Sequence, residues 1–328
     1  NGSAEQTDGW SHQTKKTMSV RVSSEVLDAL SSQQPVVAIE TAVLTAGLPK
    51  EIWNAEYGNP PIHFESGEPV HLGLAKEMTK TVRGGGAVPA WICVLNGELV
   101  IGATFEELVE LTCSKVNTKC SLSNIAIEMQ SKQNAGTTVA TTLLGCKQPS
   151  LPNPIRVFAT GGIGGVHNNW NKELDVSADI TALATTPTCV VSSGAKSILD
   201  IPATLQMLET SGIPVLGLST NIFPTFIERS LDNGLPITEC KSVQEIASIA
   251  KMHWEGLNQN SGVLATVPLD NSVALPPNTL NDIMLRGEQA FAQSGCDWLA
   301  GPFLFLHTEL IGLLICFLIP FLCFYKND

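Results

Sequence analysis

The stretch RVFATGGIGGVH, residues 156–167, decides the fold of this chain, because an apolar strand leads directly into a glycine turn. The segments LDVSAD (174–179) and SSGAKSILD (192–200) follow it. A lysine, two aspartates and a histidine therefore lie around backbone that can hold an anion. This combination indicates a ligand site on an α/β sheet, since ligands collect at the carboxyl ends of parallel strands.

Outside this stretch, short apolar runs alternate with helical patterns, which favours βα units on a mostly parallel sheet. The strands are apolar enough to be covered by helices on both faces. The length of 328 residues allows one domain or two, and we expect a single large α/β domain at residues 21–304. The predicted strands span 36–39, 90–95, 157–160, 189–192, 215–218 and 263–267, and the predicted helices span 72–83, 105–111, 198–210, 243–254 and 280–293.

Composition limits the partners that this chain can bind. A net charge of −12 argues against nucleic acid, whose phosphates are bound by clustered Lys and Arg. A phosphate-bearing partner is therefore expected to be a small molecule. Nine cysteines without a Cys-x-x-Cys pair indicate free thiols in a reducing compartment, which favours the cytoplasm. The six histidines show no i, i+4 zinc pattern.

Lys196 is the candidate nucleophile. It follows the small residues Gly194 and Ala195 after the apolar run 188–192, so its amine is expected at the end of a core strand. A desolvated lysine has a lowered pKa, and its neutral amine can attack a carbonyl carbon to form a Schiff base. The alternative is a lysine that begins the next helix, where it is solvated or paired with Asp200.

Three acidic residues are candidates for acid–base or metal chemistry. Glu40 ends the strand-like PVVAIE, and a carboxyl in a partly apolar pocket there has the raised pKa that a proton donor needs. Asp175 and Asp179 lie four residues apart and are expected on one side of their segment, as a carboxylate pair that suits a hard divalent ion. The alternatives are a glutamate that simply leaves the sheet and two helix-capping aspartates.

Two backbone features could receive a phosphate. Residues 136–138 precede a helical pattern, whose first N–H groups are free to meet an anion. The glycine turn has an alternative interpretation as a dinucleotide fingerprint, but this requires a third glycine at position 167, where His167 stands. A histidine after glycines is also common as a plain turn residue.

Several motifs occur in an order that resembles the pseudouridine-5'-phosphate glycosidase family, also called pseudouridylate synthase, from about residue 21 to residue 304. No single motif carries the resemblance, which depends on their order and spacing. The motifs are PVVAIET (35–41), SKVNTK (114–119), NAGTTVATT (134–142), VFATGGIGGVH (157–167), LDVSADI (174–180), VVSSGAKSILD (190–200) and GPFLF (301–305).

The resemblance implies an activity and a set of roles. The reaction is reversible cleavage of the carbon–carbon glycosidic bond between uracil and ribose 5-phosphate, through a covalent lysine–sugar adduct. Relatives form homo-oligomers, as trimers, and use Mn²⁺. The implied catalytic residues are Glu40, as proton donor, and Lys196; Asp175 is the implied Mn²⁺ ligand; and the implied substrate contacts are Lys115, Val139, His167, Ser177, Ala178 and Asp179.

The chain departs from the family pattern near this site. Thr41-Ala42 stands where the family has Ser-Thr, and Ala46 stands where it has a histidine. Residues 115–120 read KVNTKC in place of Lys-Val-Ser-Arg-Arg-Asp, and 54–69 looks inserted. An active-site asparagine of the family has no counterpart. An alternative function is therefore a catalytically impaired or inactive relative, or a truncated isoform.

Both ends of the chain lie outside the expected domain. Residues 1–20 are polar and are predicted to form a disordered tail. Residues 305–328 form an atypical hydrophobic tail, with an uncharged run at 310–325 that is shorter than the ~20 residues of a membrane-spanning helix. Three explanations stay open: an anchor that attaches the protein to a membrane, a segment that packs on the core, or a sequence end produced by altered splicing or a gene-model error.

Overall fold

The computed structural model of the protein describes residues 20–48, 50–52, 67–114, 117–168, 170–172, 174–230, 234–271 and 274–275. Lys115, the predicted helix at 280–293, almost all of the predicted N-terminal tail and the whole hydrophobic C-terminal tail lie outside these ranges. Most of the segment 54–69, which looks inserted, lies outside them as well.

Strands and helices alternate along most of the described chain. The strands are β1 (Val20–Val22), β2 (Val36–Glu40), β3 (Val88–Leu95), β4 (Glu98–Ile101), β5 (Asn117–Cys120), β6 (Asn134–Thr137), β7 (Val157–Ala159), β8 (Cys189–Ser192), β9 (Val215–Leu218), β10 (Thr238–Cys240) and β11 (Val263–Thr266). The helices are α1 (Ser24–Ser31), α2 (Val70–Gly84), α3 (Phe105–Cys113), α4 (Ile125–Gln130), α5 (Val139–Cys146), α6 (Ala178–Leu183), α7 (Ile201–Thr210) and α8 (Val243–Lys251). Short π-helical turns occupy Val43–Gly47 and Met252–Gly256.

Within the described residues, all eleven strands belong to one sheet. Its main path runs β1-β4-β3-β2-β7-β8-β11-β9-β10, and β5 and β6 branch from β3. Every pairing is parallel except those of β3 with β4 and with β6. The predicted single α/β domain with a mostly parallel sheet is therefore confirmed.

Helices cover both faces of this sheet, as the apolar strands predicted. In β3, Ala90, Ile92 and Val94 point into a core shared with α1, α5, α6 and α7. Their neighbours Trp91, Cys93 and Leu95 point into a second core, shared with α2 and α3. Because successive strand residues face opposite sides, a strand that is buried along its whole length requires apolar cover on both faces.

The predicted elements in the described residues match observed ones in position, and several further elements were not predicted. Cys189–Ser192 and Val215–Leu218 agree with the predicted bounds. The helix predicted from residue 198 begins instead at Ile201, because Asp200 caps it and Pro202 occupies its first turn. The strand β5 was not predicted because its four residues, NTKC, are mostly polar and show no apolar run.

The strands β2 and β6 approach each other end to end beside β3. Residues 36–40 of β2 pair in parallel with 88–92 of β3, and β6 then pairs in antiparallel fashion with Cys93 and Val94. The two strands therefore run towards each other and end at the same place. This arrangement brings Glu40, the last residue of β2, close to the start of α5.

Gly194 forms the turn between β8 and Lys196. Its φ angle is +83°, and a Cβ atom at this position would lie 1.8 Å from the Pro224 carbonyl oxygen. The backbone here therefore requires glycine both for its dihedral angle and for its close approach to Pro224. Lys196 owes its position to this turn.

We predict that Gly194→Ala lowers the free energy of unfolding by more than about 3 kcal/mol, because backbone strain and a steric clash add together. Gly212→Ala is the matched control, since Gly212 has φ +66° with no atom within 4 Å of a built Cβ. This control should cost only the ~1–2 kcal/mol of the left-handed conformation. Urea denaturation measures both values, and equal costs would contradict the close approach.

Candidate active site

The candidate site lies where the carboxyl ends of several strands meet. Glu40 ends β2, Thr160 follows β7, and Lys196 follows β8. These three strands are adjacent in the sheet, in the order β2-β7-β8. From the other side, β5 brings Lys119 and β6 leads into α5. Such an edge is where open α/β sheets bind ligands.

Three buried threonines hold the junction of β2 and β6. The hydroxyls of Thr41 and Thr137 both donate to the Ile92 carbonyl oxygen, at 2.7 and 2.5 Å. The Thr137 N–H donates to the Thr41 hydroxyl, and the Thr142 hydroxyl of α5 donates to the Thr137 hydroxyl. All three side chains are fully buried. The network fixes Glu40 relative to the first turn of α5.

Glu40 is a carboxyl whose surroundings favour the neutral form. Its Oε1 atom accepts a hydrogen bond from the Thr160 hydroxyl at 2.5 Å. Burial raises the pKa of Glu40, and this effect exceeds the opposing influence of Lys196 and of the Thr160 hydrogen bond. Asp179 also raises this pKa, whereas Lys119 lowers it. A carboxyl that keeps its proton to a higher pH than usual is suited to act as an acid.

Lys196 lies at the end of a core strand, as predicted, and is half-buried. Its backbone N–H donates to the Ile163 carbonyl, and the Ile163 N–H donates to the Gly194 carbonyl, both at 3.0 Å. The glycine turn therefore anchors the lysine through the backbone. The alternative interpretation placed Lys196 at a helix start beside Asp200, but Asp200 caps α7 by accepting the Ala203 N–H.

Asp179 is buried and bonds to backbone on two sides. Its Oδ1 atom accepts the N–H of Ala140 in α5 at 2.9 Å, and its Oδ2 atom accepts the N–H of Gly164 at 2.8 Å. Ser177 caps α6 by accepting the Asp179 N–H at 3.2 Å, and Ala178 is the first residue of that helix. Val139 is the first residue of α5 and is buried. The site residues predicted in this region therefore cluster at two helix starts.

Asp175 does not share a common set of contacts with Asp179, contrary to the pairing that we expected. The Asp175 carboxylate is exposed, and its Oδ2 atom lies 3.8 Å from Nδ1 of His167. An antiparallel contact between Val166 and Val176 holds these two residues side by side. The physical reason is that α6 begins between the aspartates, so Asp179 enters the core while Asp175 stays in the preceding extended segment.

The donors around Asp175 fit a hard divalent ion only in part. One carboxylate and one imidazole can supply two ligands, and an ion such as Mn²⁺ requires further oxygen ligands from water or substrate. In the part of the chain that the structure describes, no group of three or more His, Cys, Asp and Glu side chains is arranged to hold a metal.

Lys119 is a site residue that we did not predict. It pairs with Gly136 across β5 and β6, on the sheet face opposite to the buried Cys120. Desolvation and the nearby charge of Lys196 lower the pKa of Lys119, while Glu40 and Asp179 raise it. The motif SKVNTK could have identified Lys119, because this second lysine stands where the related family has an arginine. Lys115, the lysine that we predicted, lies outside the described residues.

A cavity of about 650 Å³ lies elsewhere, between α2 and the N-terminal ends of α1 and α3. It contains none of the predicted site residues, and two of its cations already have acidic partners, since Arg83 pairs with Glu25 and Lys76 with Glu68. We therefore assign the site from the convergence of strand ends and from electrostatics, and not from cavity size.

Comparison with known proteins shows the family of this chain. The family model described as "Indigoidine synthase A like protein" matches residues 65–305. The chain belongs to this family. This chain is 38% identical over 263 residues to a pseudouridine-5'-phosphate glycosidase of Myxococcus xanthus, and the match covers 80% of this chain and 78% of the relative. It is 35% identical over 286 residues to that of Dinoroseobacter shibae, with coverage of 87% and 86%.

Two solved structures resemble this chain over most of its length. The prealnumycin C-glycosynthase AlnA, in complex with ribulose 5-phosphate, is 28% identical with a TM-score of 0.75, covering 94% of this chain and 95% of that one. An indigoidine synthase A-like protein of Thermotoga maritima is 26% identical with a TM-score of 0.73 and covers 94% of both chains. The resemblance found in the sequence motifs is therefore confirmed.

In the described part of this chain, no helix is long and apolar enough to cross a bilayer. The uncharged run at 310–325, which we considered as an anchor, lies outside that part.

We predict that Glu40→Gln gains stability relative to the unmodified protein as pH rises. The folded-state pKa of Glu40 is raised above the ordinary value of 4.5, so above that pH the unmodified protein must either keep the proton or bury a charge. The contribution of Glu40 to the free energy of unfolding is fully present below the unfolded-state pKa and is lost as pH rises through the folded-state pKa. The amide of Gln does not titrate and has no such dependence.

Urea denaturation from about pH 4 to pH 8 measures this difference. Glu209→Gln, at the exposed end of α7, controls for loss of one negative charge from an acidic chain. A difference in free energy of unfolding between Glu40→Gln and the unmodified protein that stays constant across this range would contradict a raised pKa of Glu40.

Proposed function

We propose that this protein is a pseudouridine-5'-phosphate glycosidase, which reversibly cleaves pseudouridine 5'-phosphate to uracil and ribose 5-phosphate. The observation that carries the proposal is that Glu40, an acid with a raised pKa, and Lys196 lie at the carboxyl ends of β2 and β8, the two strands that flank β7 in the sheet. The names of the curated relatives support the substrate, and the solved C-glycosynthase with a bound pentose phosphate supports a sugar phosphate in this fold.

Lysine chemistry suits the bond that must break. Uracil leaves through carbon, so direct formation of an oxocarbenium ion, as in ordinary glycoside hydrolysis, is unfavourable. In the proposed route, the Lys196 amine bonds to C1' as the C1'–O4' bond breaks, and O4' takes the proton that the amine loses. The nitrogen electron pair then forms a protonated C1'=N imine as the C1'–C5 bond to uracil breaks. The lysine–sugar imine then adds water, which releases ribose 5-phosphate and regenerates the amine.

Glu40 supplies the proton that this route consumes. As the C1'–C5 bond breaks, its electron pair stays on uracil, and C5 must receive a proton from a nearby acid. The charge of Lys196 acts on Glu40, and the raised pKa of Glu40 keeps it protonated at a pH where an ordinary glutamate is ionised. In the reverse direction the Glu40 carboxylate accepts the proton from C5.

The remaining residues hold the sugar phosphate. Lys119 brings a positive charge to the site, and Lys115 belongs to the same segment. The first turn of α5, beginning at Val139, presents the positive end of a helix to an anion. In this proposal the substrate contacts are Lys115, Lys119, Val139, Ser177 and Ala178.

Asp175 and His167 are the proposed protein ligands of Mn²⁺. A bound ion would neutralise negative charge and orient the oxygens of the substrate. The carboxylate is exposed and therefore accessible, and the imidazole next to it would bind as the neutral base.

A second candidate function is a catalytically impaired relative that keeps the pocket. The specific observation is Ala46, an exposed residue where the related family has a histidine. The substrate would then bind without turnover. We also propose that the protein forms a homo-oligomer and that it is located in the cytoplasm. Light scattering on the purified chain measures the oligomeric state.

We predict that Lys196→Ala lowers the rate of uracil release from pseudouridine 5'-phosphate about 10³-fold or more, since the nucleophile is removed. Lys196→Arg should fail as well, because guanidinium stays protonated and cannot attack. With ribose 5-phosphate, borohydride should attach a reduced sugar to the Lys196 peptide of the unmodified protein.

Lys147→Ala is the control, because Lys147 is exposed and donates to the Thr185 carbonyl away from the site. This variant should keep both activity and trapping. Normal turnover by Lys196→Ala would refute the lysine mechanism, and bound substrate without turnover by the unmodified protein would favour the impaired relative.

We predict that Asp175→Asn raises the Mn²⁺ concentration for half-saturation by at least ~10-fold, because an anionic ligand becomes a neutral one. Calorimetric titration of Mn²⁺ into the protein without substrate measures binding separately from activity. Asp200→Asn controls for the loss of an aspartate that caps a helix. Unchanged Mn²⁺ affinity in Asp175→Asn would place the ion elsewhere.

A further inference from the structure

The two halves of the proposed mechanism lie on different parts of the fold. Glu40 is tied to the first turn of α5 through Thr41 and Thr137. Lys196 is tied to the glycine turn through the Ile163 carbonyl. A reaction that needs the acid and the amine at one carbon–carbon bond requires a fixed distance between these two parts.

Asp179 bonds to both parts at once. Its Oδ1 atom accepts the N–H of Ala140, in the first turn of α5, and its Oδ2 atom accepts the N–H of Gly164, the residue after Ile163. The Asp179 residue as a whole is 5% exposed. Both oxygens are therefore already bonded to backbone, and little of their surface remains for a ligand.

The surrounding sequence is adapted to this contact. A Cβ atom at Gly164 would lie 2.4 Å from the Ser177 hydroxyl oxygen and 2.8 Å from Asp179 Oδ2. Only glycine allows the backbone of the turn to approach the carboxylate so closely. The Ser177 hydroxyl accepts the Asp179 N–H and so holds the start of α6 in place.

We propose that Asp179 is a positioning residue, whose carboxylate joins the first turn of α5 to the glycine turn and thereby fixes Glu40 and Lys196 relative to each other. The bonds act across elements that are distant in sequence, since Ala140, Gly164 and Asp179 belong to α5, the turn after β7 and α6. Its effect on the reaction rests on the proposed function, whereas its effect on the two backbone N–H groups does not. The resemblance-based prediction that Asp179 binds substrate directly is the competing role.

The first test measures hydrogen exchange in the ¹⁵N-labelled full chain without ligand. In Asp179→Asn, one acceptor oxygen is replaced by an NH₂ group that cannot accept a backbone N–H. Exchange at Gly164 or Ala140 should accelerate about tenfold or more, as expected for loss of a hydrogen bond to a charged group. Asp200→Asn is the matched control, because Asp200 is also an aspartate that caps a helix, and its effect should stay near Ala203.

The second test separates positioning from binding. In borohydride trapping with ribose 5-phosphate, the maximal rate of adduct formation in Asp179→Asn should fall about tenfold or more, while the half-saturating sugar concentration changes less than about threefold. Unchanged exchange at both amides, or a loss confined to sugar affinity, would overturn the positioning role. If the unmodified protein forms no adduct, the proposed function fails, and the exchange experiment still decides the role of Asp179.

Asp179→Glu keeps the inference testable if Asp179→Asn does not fold. This variant retains the charge and both acceptor oxygens but moves them by one methylene group. It should show faster exchange at Gly164 or Ala140 and slower trapping, with the sugar concentration for half-saturation preserved. Trapping at the normal rate in Asp179→Glu would overturn the proposal.

Discussion

The carbonyl oxygen of Ile92 is the acceptor on which the geometry of the site depends. Thr41 and Thr137, from strands that run towards each other, both donate their hydroxyl hydrogens to it. A buried hydroxyl without a partner costs on the order of 1–3 kcal/mol, so these bonds specify one arrangement of the strand ends. Glu40 precedes one threonine and α5 follows the other, and their separation is set by this shared acceptor.

Opposing electrostatic effects give the site its chemical character. Burial favours a neutral Glu40, whereas the charge of Lys196 and the Thr160 hydrogen bond favour its ionised form, and burial has the larger effect. For the exposed Lys119, partial desolvation and the nearby charge of Lys196 both lower the pKa. A carboxyl that stays neutral is suited to give a proton to a leaving carbon atom.

The departures from the family pattern near the site leave Glu40 and Lys196, the proposed acid and nucleophile, in place. Lys119 replaces an arginine with a more compact charge, which can neutralise a phosphate but cannot bind it through two parallel hydrogen bonds. Thr41, in contrast, departs from the family serine and still fills its structural role, because the buried network needs only a hydroxyl at that position.

The sequence by itself determined the fold class, the longer strands and helices, and the identity of Glu40 and Lys196 as strand-end residues. Those features depend on local hydrophobic patterns and on motif order, which are written along the chain. Tertiary structure decided which of them meet: it separated Asp175 from Asp179 by starting α6 between them, brought Lys119 in on a polar four-residue strand, and turned Asp179 towards two backbone N–H groups. These outcomes depend on contacts between segments distant in sequence, such as the 39 positions between Ala140 and Asp179, and no local pattern encodes such contacts.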